Sequence, residues 1–429
     1  MRIVPDPKST NTRRLCLFES QSRTRALEDC RKLSEDHPYL VTALVWASWT
    51  AIMLPRMVVT ALLPTFESTY HITHAQSGLL MTSYFYAYTL MQIPAGFLCD
   101  RFGRKRFIVA SLIGSSLASL ALWRAQSFEQ MILLRAIAGF FAGLWYAPSI
   151  SLLTSSVRDQ DRGKAMGIAL SGPSVSDVTI FMMVGTLGVD GFGWRNYFVI
   201  YAIPGFVCAL VIWFMIKKVT EKQGVPNRSI SRRTEVREVL RNRVVLSILI
   251  CAMAISIAQY SFRTFLPTYF VQSRGLTSSE ASLLMVSYAA SVILSSPLGG
   301  YLIDRVGCNL PSIITLITMY IVTLTLPVIP LGIPVVAVLL AWGLMGGWSV
   351  TAFSVLLTRL VPPQTRGAFL GILNSCTFFG AATGPLILGY AADIGGFSAF
   401  FASALVVFIL ASLAIIPVLK SQRRATGWT

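Results

Sequence analysis

Charge is what this sequence has least of. Asp, Glu, Lys and Arg make up 13% of its 429 residues, about half the share found in a soluble globular domain. Acidic residues are the scarcer sign, 19 against 36 Lys and Arg. Histidine is rarer still, and His37, His71 and His74 form no ligand set. The Cys residues (Cys16, Cys30, Cys99, Cys208, Cys251, Cys308 and Cys376) show neither metal-site spacing nor a disulfide pattern. Neither a metal nor a cofactor is therefore expected. A phosphate-cradling P-loop is missing, so direct ATP drive is unsupported. No nucleophile–base set is recognisable, which argues against an enzyme. The alternating apolar runs of a membrane barrel are absent too. Residues 1–38 hold no apolar signal-peptide core, and neither end carries a lipidation motif, so no cleavage or lipid anchor is expected.

Apolar residues are abundant at 54%. A membrane-crossing helix needs about 20 of them in a row. Twelve stretches qualify: 39–66, 76–98, 106–124, 128–154, 164–187, 195–217, 244–271, 279–302, 310–330, 333–358, 366–390 and 396–419. The formal charge of +17 could suggest a nucleic-acid partner, but its distribution does not. With the N-terminus inside, 30 of the 36 Lys and Arg fall on the cytoplasmic side, eight before the first stretch and nine in the loop 217–243. The outside loops hold only Arg124, Arg195 and Arg274. This asymmetry predicts a multi-pass protein of the cell membrane with both termini cytoplasmic. The net charge then reports orientation, and no nucleic acid is expected.

One internal repeat holds a fixed offset of 204 residues. Leu79-Leu80-Met81 recurs as Leu283-Leu284-Met285, and Ser83-Tyr84 as Ser287-Tyr288. Gly96, Asp100, Arg101 and Gly103 recur as Gly300, Asp304, Arg305 and Gly307. Arg162, Gly163 and Gly167 recur as Arg366, Gly367 and Gly371. The expected fold is an all-α membrane protein of twelve transmembrane helices in two pseudo-symmetric six-helix bundles. The expected division is a tail 1–38, a first half 39–217, a cytoplasmic loop 218–243, a second half 244–419 and a tail 420–429.

The run from Gly96 to Arg106 (Gly-Phe-Leu-Cys-Asp-Arg-Phe-Gly-Arg-Lys-Arg) resembles the signature loop of the major facilitator superfamily. Its copy from Gly300 to Gly307 lacks the trailing basic residues. The resemblance implies gating roles for Gly96, Asp100, Arg101, Gly103, Arg104, Asp304, Arg305, Arg162 and Arg366. Chemically, Gly96 allows close helix approach. The Asp100 carboxylate can accept hydrogen bonds from a helix N-terminus of the other half, where the dipole favours negative charge. Such a latch would close the cytoplasmic side. For Arg104, Lys105 and Arg106 a purely topological role is the equal alternative. Arg135-Ala-Ile-Ala-Gly139 and Gly193-Trp-Arg-Asn-Tyr-Phe198 are also typical of the superfamily.

Ionisable residues inside a span are costly and are functional candidates by default. Four lie away from the ends: Arg56, Arg135, Asp177 and Arg263. The first and seventh stretches each carry a Leu-Pro-Thr, at Leu63-Pro64-Thr65 and Leu266-Pro267-Thr268. Aligned on those prolines, Arg56 corresponds to Gln259 and Arg263 to Thr60. Each Arg is thus four residues from the other's counterpart, on the same face, and since the resemblance to the major facilitator superfamily implies that these two helices line the central cavity, both should face one central space. Three Arg against one Asp leave excess positive charge, and Arg forms a fork suited to carboxylate or phosphate. The arrangement resembles organophosphate:phosphate antiporters and anion:cation symporters, in which Arg on these two helices contact the anion. Arg56 matches that pattern; Arg263, four residues before Pro267, is displaced from it. Tyr84, Tyr88 and Gln92, spaced four apart, form either a substrate-facing stripe or a packed face with satisfied hydroxyls. Asn374 is a further candidate for the cavity. Asp177 and Arg135 are candidates for proton coupling; the alternatives are an ion pair or packing contact for Asp177 and a structural partnership for Arg135.

A secondary transporter of a small organic anion by proton symport or exchange is therefore expected. It would be a monomer in the lipid bilayer, with a coupling proton as a further partner. The alternatives are a proton-linked carrier of drugs or neutral metabolites, and a non-transporting sensor of the same fold. Deleting residues 1–38 separates the last reading from the others: uptake into proteoliposomes should be retained, whereas a sensor would lose signalling with its only candidate partner surface.

Overall fold

The structure, a computed structural model, describes residues 38–158, 161–216, 242–362 and 366–426. The expected tail and most of the expected loop 218–243 lie outside the described residues. Within them every element is an α-helix. In order these are α1 (Pro38–Tyr70), α2 (His74–Phe102), α3 (Arg104–Trp123), α4 (Phe128–Gly143), α5 (Tyr146–Ser156), α6 (Arg162–Leu170) and α7 (Gly172–Leu187). They continue as α8 (Trp194–Met215), α9 (Arg243–Gln272), α10 (Ser278–Val306), α11 (Asn309–Thr325), α12 (Ile333–Gly346), α13 (Trp348–Leu360) and α14 (Arg366–Thr426).

Fourteen helices make twelve passes. The pairs α4–α5, α6–α7 and α12–α13 are each one pass interrupted by a short break, and α14 folds into two arms at Gly395 and Gly396. Among the described residues nine helical stretches are long and apolar enough to cross a membrane, one of them the two-armed Phe369–Leu419. Counting both arms, and adding the shorter Asn309–Thr325 and the more polar α2, gives twelve. Large apolar side chains such as Leu133, Phe214, Ile333 and Ile394 face outward, as a lipid-facing surface requires.

The chain direction defines two ends. The base holds the start of α1, the end of α14 and the α2–α3 and α10–α11 junctions. The rim holds the α1–α2 and α9–α10 turns. At the rim, Thr73 and Gln76 form a capping box that starts α2, and Thr277 and Glu280 form the same box at the start of α10. Each box satisfies otherwise orphaned helix N–H groups. At the base, Gly103 and Gly307 end those two helices with φ of 96° and 79°, which non-glycine residues avoid. All four features keep the 204-residue offset. So does one pair of close helix contacts. Gly139 of α4 lies against the Tyr84 carbonyl of α2, and Gly343 of α12 against the Tyr288 carbonyl of α10. The repeat is thus a repeat of turns and helix contacts, not only of letters.

Within the first half α2 packs on α4, α3 on α8, and α1 on α7 and α8; within the second, α9 packs on α14 and α10 on α12. The halves meet through α2 against α14, α7 against α10 and α1 against α9. One apolar core runs through the first half and continues into the second through Phe262, Phe265, Trp342 and Phe400. A separate core, including Val245, Ile303, Phe353, Leu357 and Phe369, fills the base of the second half. Packing is therefore continuous across the halves toward the rim and divided at the base. Replacing Gly139 or Gly343 by Val should cost about 1–3 kcal/mol through overpacking, measured by denaturant unfolding in detergent. Gly163→Ala, which meets nothing within 4 Å, should stay close to neutral.

Candidate functional site

The central site begins with three guanidinium groups, two buried (Arg56 and Arg135) and one half-buried (Arg263), each held differently. Arg135 of α4 is 1% exposed. Its Nε donates to the Leu80 carbonyl at 3.2 Å, and its Nη1 to the Pro55 and Arg56 carbonyls at 3.4 Å each. Its Cζ also sits 4.6 Å from the centre of the Tyr84 ring. These contacts bolt α4 to α1 and α2. They fit the structural alternative for Arg135 and leave no carboxylate at its head among the contacts seen.

Arg263 of α9 forms an ion pair with Asp177 of α7. The pair joins the two halves, and Asp177 is 2% exposed. Of the options for Asp177, the ion pair is the one found. Asp177 Oδ1 and Arg263 Nε nonetheless have no hydrogen-bond partner among the described residues. The pair is satisfied on one side only.

Arg56 of α1 is 5% exposed and makes no such pair among the described residues. Its Nη1 lies 3.2 Å from the Met53 sulfur, and its Cζ 4.4 Å from the Phe85 ring centre and 5.7 Å from that of Tyr84. Its Nε has no partner among the described residues. A buried cation held by ring faces retains part of its stabilisation but keeps donors free for an anion.

Tyr84 and Tyr88 stack with centres 6.2 Å apart, and both are buried. They form a packed face, but the Tyr84 hydroxyl has no partner among the described residues. Gln92 is half-buried one turn further, its Nε2 likewise without a partner there. Gln259 is already engaged, donating to the Gly346 carbonyl at the end of α12. Asn374 is half-buried on α14, one turn before Phe378. The sequence reading missed the aromatic partners between the halves. Phe85 meets Tyr260 at 5.3 Å and Phe378 at 6.2 Å, and Tyr88 meets Phe378 at 5.2 Å. Tyr260 shares a face with Arg263, three residues on, a spacing that was available as a signal. Tyr288, the repeat counterpart of Tyr84, instead stacks on Trp342 at 3.9 Å.

The residues expected to gate the base make their visible contacts within their own halves. Arg104 donates to Ser155 Oγ at 3.1 Å, and Arg162 to the Thr154 carbonyl at 3.0 Å. Arg305 lies over the Tyr301 ring, Gly96 packs near Ala147, and Asp304 and Arg366 are exposed. The side chains of Asp100 and Arg101 lie outside those described.

Contact between the halves is dense at the rim. Thr82 donates to the Ala382 carbonyl at 2.6 Å. Gly389 of α14 abuts the His74 carbonyl, and its repeat counterpart Gly185 of α7 abuts Leu283. Asp393 accepts the His74 and Ala75 backbone N–H at 2.7 and 2.9 Å, capping α2 from the opposite half. Glu67, a buried carboxylate near the rim end of α1, accepts from Gln272 of α9 at 2.8 Å. The sequence reading passed over Glu67 because it stands near a helix end. The protein is closed at the rim.

The sequence profile of the Major Facilitator Superfamily matches residues 40–278 and 248–428. Among named proteins, the multidrug resistance protein MdtG of Rahnella sp. (strain Y9602) is 28% identical over 360 residues, covering 80% of this chain and 85% of that one. The cis,cis-muconate transport protein of Acinetobacter baylyi is 23% identical over 349 residues, covering 79% and 84%. Among solved structures, an inward-facing, occupied bacterial homologue of the human lysosomal transporter Spinster aligns with a TM-score of 0.74 at 19% identity, covering 90% and 96%. The nucleoside transporter NupG aligns with a TM-score of 0.73 at 16% identity, covering 89% and 99%.

Removing one member of a buried pair leaves an uncompensated charge. Asp177→Ala or Arg263→Ala alone should each lower unfolding stability by about 3–5 kcal/mol, measured in detergent. The double variant should lose less than the two single losses added together. Additive losses would show that the pair is not coupled.

Proposed function

The chain belongs to the Major Facilitator Superfamily, a multi-pass membrane transporter and not an enzyme, and from that premise we propose that it carries a small organic anion by alternating access. The observation that carries the proposal is Arg56: a buried guanidinium at the middle of the bundle, held by aromatic rings, with Nε unpartnered among the described residues. Arg stays protonated at any physiological pH. An entering carboxylate or phosphate ester supplies the missing counter-charge through charge-assisted hydrogen bonds. The Phe85, Tyr260 and Phe378 rings offer an apolar surface for the remainder of the solute. The relative named for transport of muconate, itself a carboxylate anion, supports this class.

In this reading the base faces the cytoplasm, supported by its excess of Lys and Arg. The rim is then the outer gate. The halves rock about the central site, breaking rim contacts while the signature loops from Gly96 and Gly300 close the base. The protein acts as a monomer, and a proton gradient or exchange supplies the energy. Gln259, tied to α12, and Arg135, tied to backbone carbonyls, position the site without meeting the solute.

A second reading is a carrier of drugs. It is favoured by the multidrug resistance relatives, whose identity is the higher, and by the aromatic lining. The two differ in their need for Arg56. Ligand-induced thermal stabilisation of purified protein separates them, because a ligand that binds the folded state raises its melting temperature. Carboxylates or phosphate esters should stabilise the wild type, and Arg56→Gln should abolish that effect. Stabilisation by neutral or cationic compounds that survives Arg56→Gln would overturn the anion reading.

A further inference from the structure

The start of α2 is completed by a residue of the other half. The first N–H groups of a helix have no partner within it and must find one outside. In α2 the Gln76 N–H goes to Thr73 Oγ1 at 3.3 Å and the Ser77 N–H to the Thr73 carbonyl at 2.9 Å, so the local capping box accounts for both. The two that remain, on His74 and Ala75, go to the two carboxylate oxygens of Asp393, at 2.7 and 2.9 Å. Asp393 belongs to the first arm of α14, in the second half. The cap of α2 is therefore complete only while the halves touch at the rim.

Close packing delivers that carboxylate. His74, Gly78 and Thr82 follow at steps of four and share one face of α2. Gly78 lies against the Pro385 backbone, Gly389 against the His74 carbonyl, and Thr82 donates to the Ala382 carbonyl. Gly389 stands one turn before Asp393, and a Cβ there would meet the α2 backbone. Toward the base the seam changes character. The ring contacts of Phe85 and Tyr88 with Phe378 come next, and beyond them a Cβ at Gly371 would meet nothing within 4 Å. The other rim pair, α7 and α10, has no such carboxylate. Gly188 at the end of α7 lies near the Ser279 hydroxyl of α10, but the position that answers Asp393 at the repeat offset is Val189.

We propose that Asp393 is the latch of the outer gate, and that its two bonds to the α2 N-terminus set how much of the protein rests with the rim shut. The latch rests on the alternating-access reading above and names the contact that biases it. Rim opening carries α14 away from α2, because the two helices belong to different halves. The His74 and Ala75 N–H groups and the exposed Asp393 carboxylate then pass to water. Hydrogen bonds are exchanged for hydrogen bonds, so the net worth of the contact is that of a helix cap and not of a buried charge. A contact of that size shifts the balance between two states without locking either, which suits a gate that opens in every cycle.

Distances across the rim read the latch in the full-length protein in nanodiscs. Nitroxide labels are carried by a genetically encoded keto amino acid at positions 129 and 328, which leaves the native cysteines in place. Glu129 lies in the first turn of α4 and Val328 just beyond α11; both are exposed at the rim, on opposite halves. Electron–electron resonance then gives the ratio of long, rim-open to short, rim-closed distances. Asp393→Ala should raise that ratio about fivefold, the size of a typical lost helix cap. Asp393→Asn, which keeps one acceptor oxygen and nearly the same shape, should raise it about twofold; it serves also if Asp393→Ala does not fold. Asp190→Ala, which removes an exposed carboxylate from the turn between α7 and α8, should leave the ratio unchanged. A ratio that stays at the wild-type value in the Asp393 variants, or that rises as much in Asp190→Ala, overturns the latch. Solute uptake by wild-type proteoliposomes tests the transport reading separately: uptake present with the ratio unmoved by Asp393 overturns the latch alone.

Discussion

A guanidinium buried among apolar helices must find acceptors, because leaving its charge unmet in low dielectric costs several kcal/mol. This constraint organises the centre of the protein. Arg135 meets it with backbone carbonyls from two neighbouring helices. Arg263 meets it with a carboxylate of the opposite half. Arg56 meets it only partly, with a sulfur and two rings. One residue type thus takes three roles: a bolt, a tie between the halves and an open contact. The roles follow from which elements surround each side chain and not from the residue itself.

Much of the fold was legible because the repeat fixes it. The 204-residue offset, visible in a few letters, proved to govern capping boxes, terminal glycines and the backbone contacts at Gly139 and Gly343. Local chemistry of this kind survives in sequence because each position tolerates few residues. The centre was less legible. That Arg56 and Arg263 sit on matching faces of their helices followed from spacing around Pro64 and Pro267, while the expectation that those helices line one space came from the family resemblance. That Asp177 pairs with Arg263 stood among several options, because partners on different halves are set by how the halves meet. Gln259 shows the same limit: its partner is a carbonyl at the end of α12, and no residue pattern announces that contact.

The two ends of the molecule apply one device in different places. The sequence suggests that a carboxylate at the base, Asp100, can latch onto a helix N-terminus of the other half. At the rim the structure shows that arrangement made by Asp393 and α2. Asp393 belongs to no repeated motif, since its counterpart at the repeat offset is Val189. It became visible only when α14 was seen to lie along α2. Packing agrees with the rim contacts, because the apolar core crosses between the halves there, while the base of the second half has a core of its own.

The charged residues break the symmetry that the glycines and caps preserve. At the repeat offset Arg135 is answered by Leu339 and Asp177 by Ala381, both fully buried, and the proline alignment answers Arg56 with Gln259. Duplication thus supplied a scaffold that is nearly even-handed in shape but lopsided in electrical potential. In the proposed anion carrier, a solute with charge at one end meets two geometrically similar walls, of which only the first carries a guanidinium, Arg56, with an unpartnered donor and no ion pair among the described residues. The interior of such a carrier would act as a polariser, turning an amphiphilic visitor to a single heading.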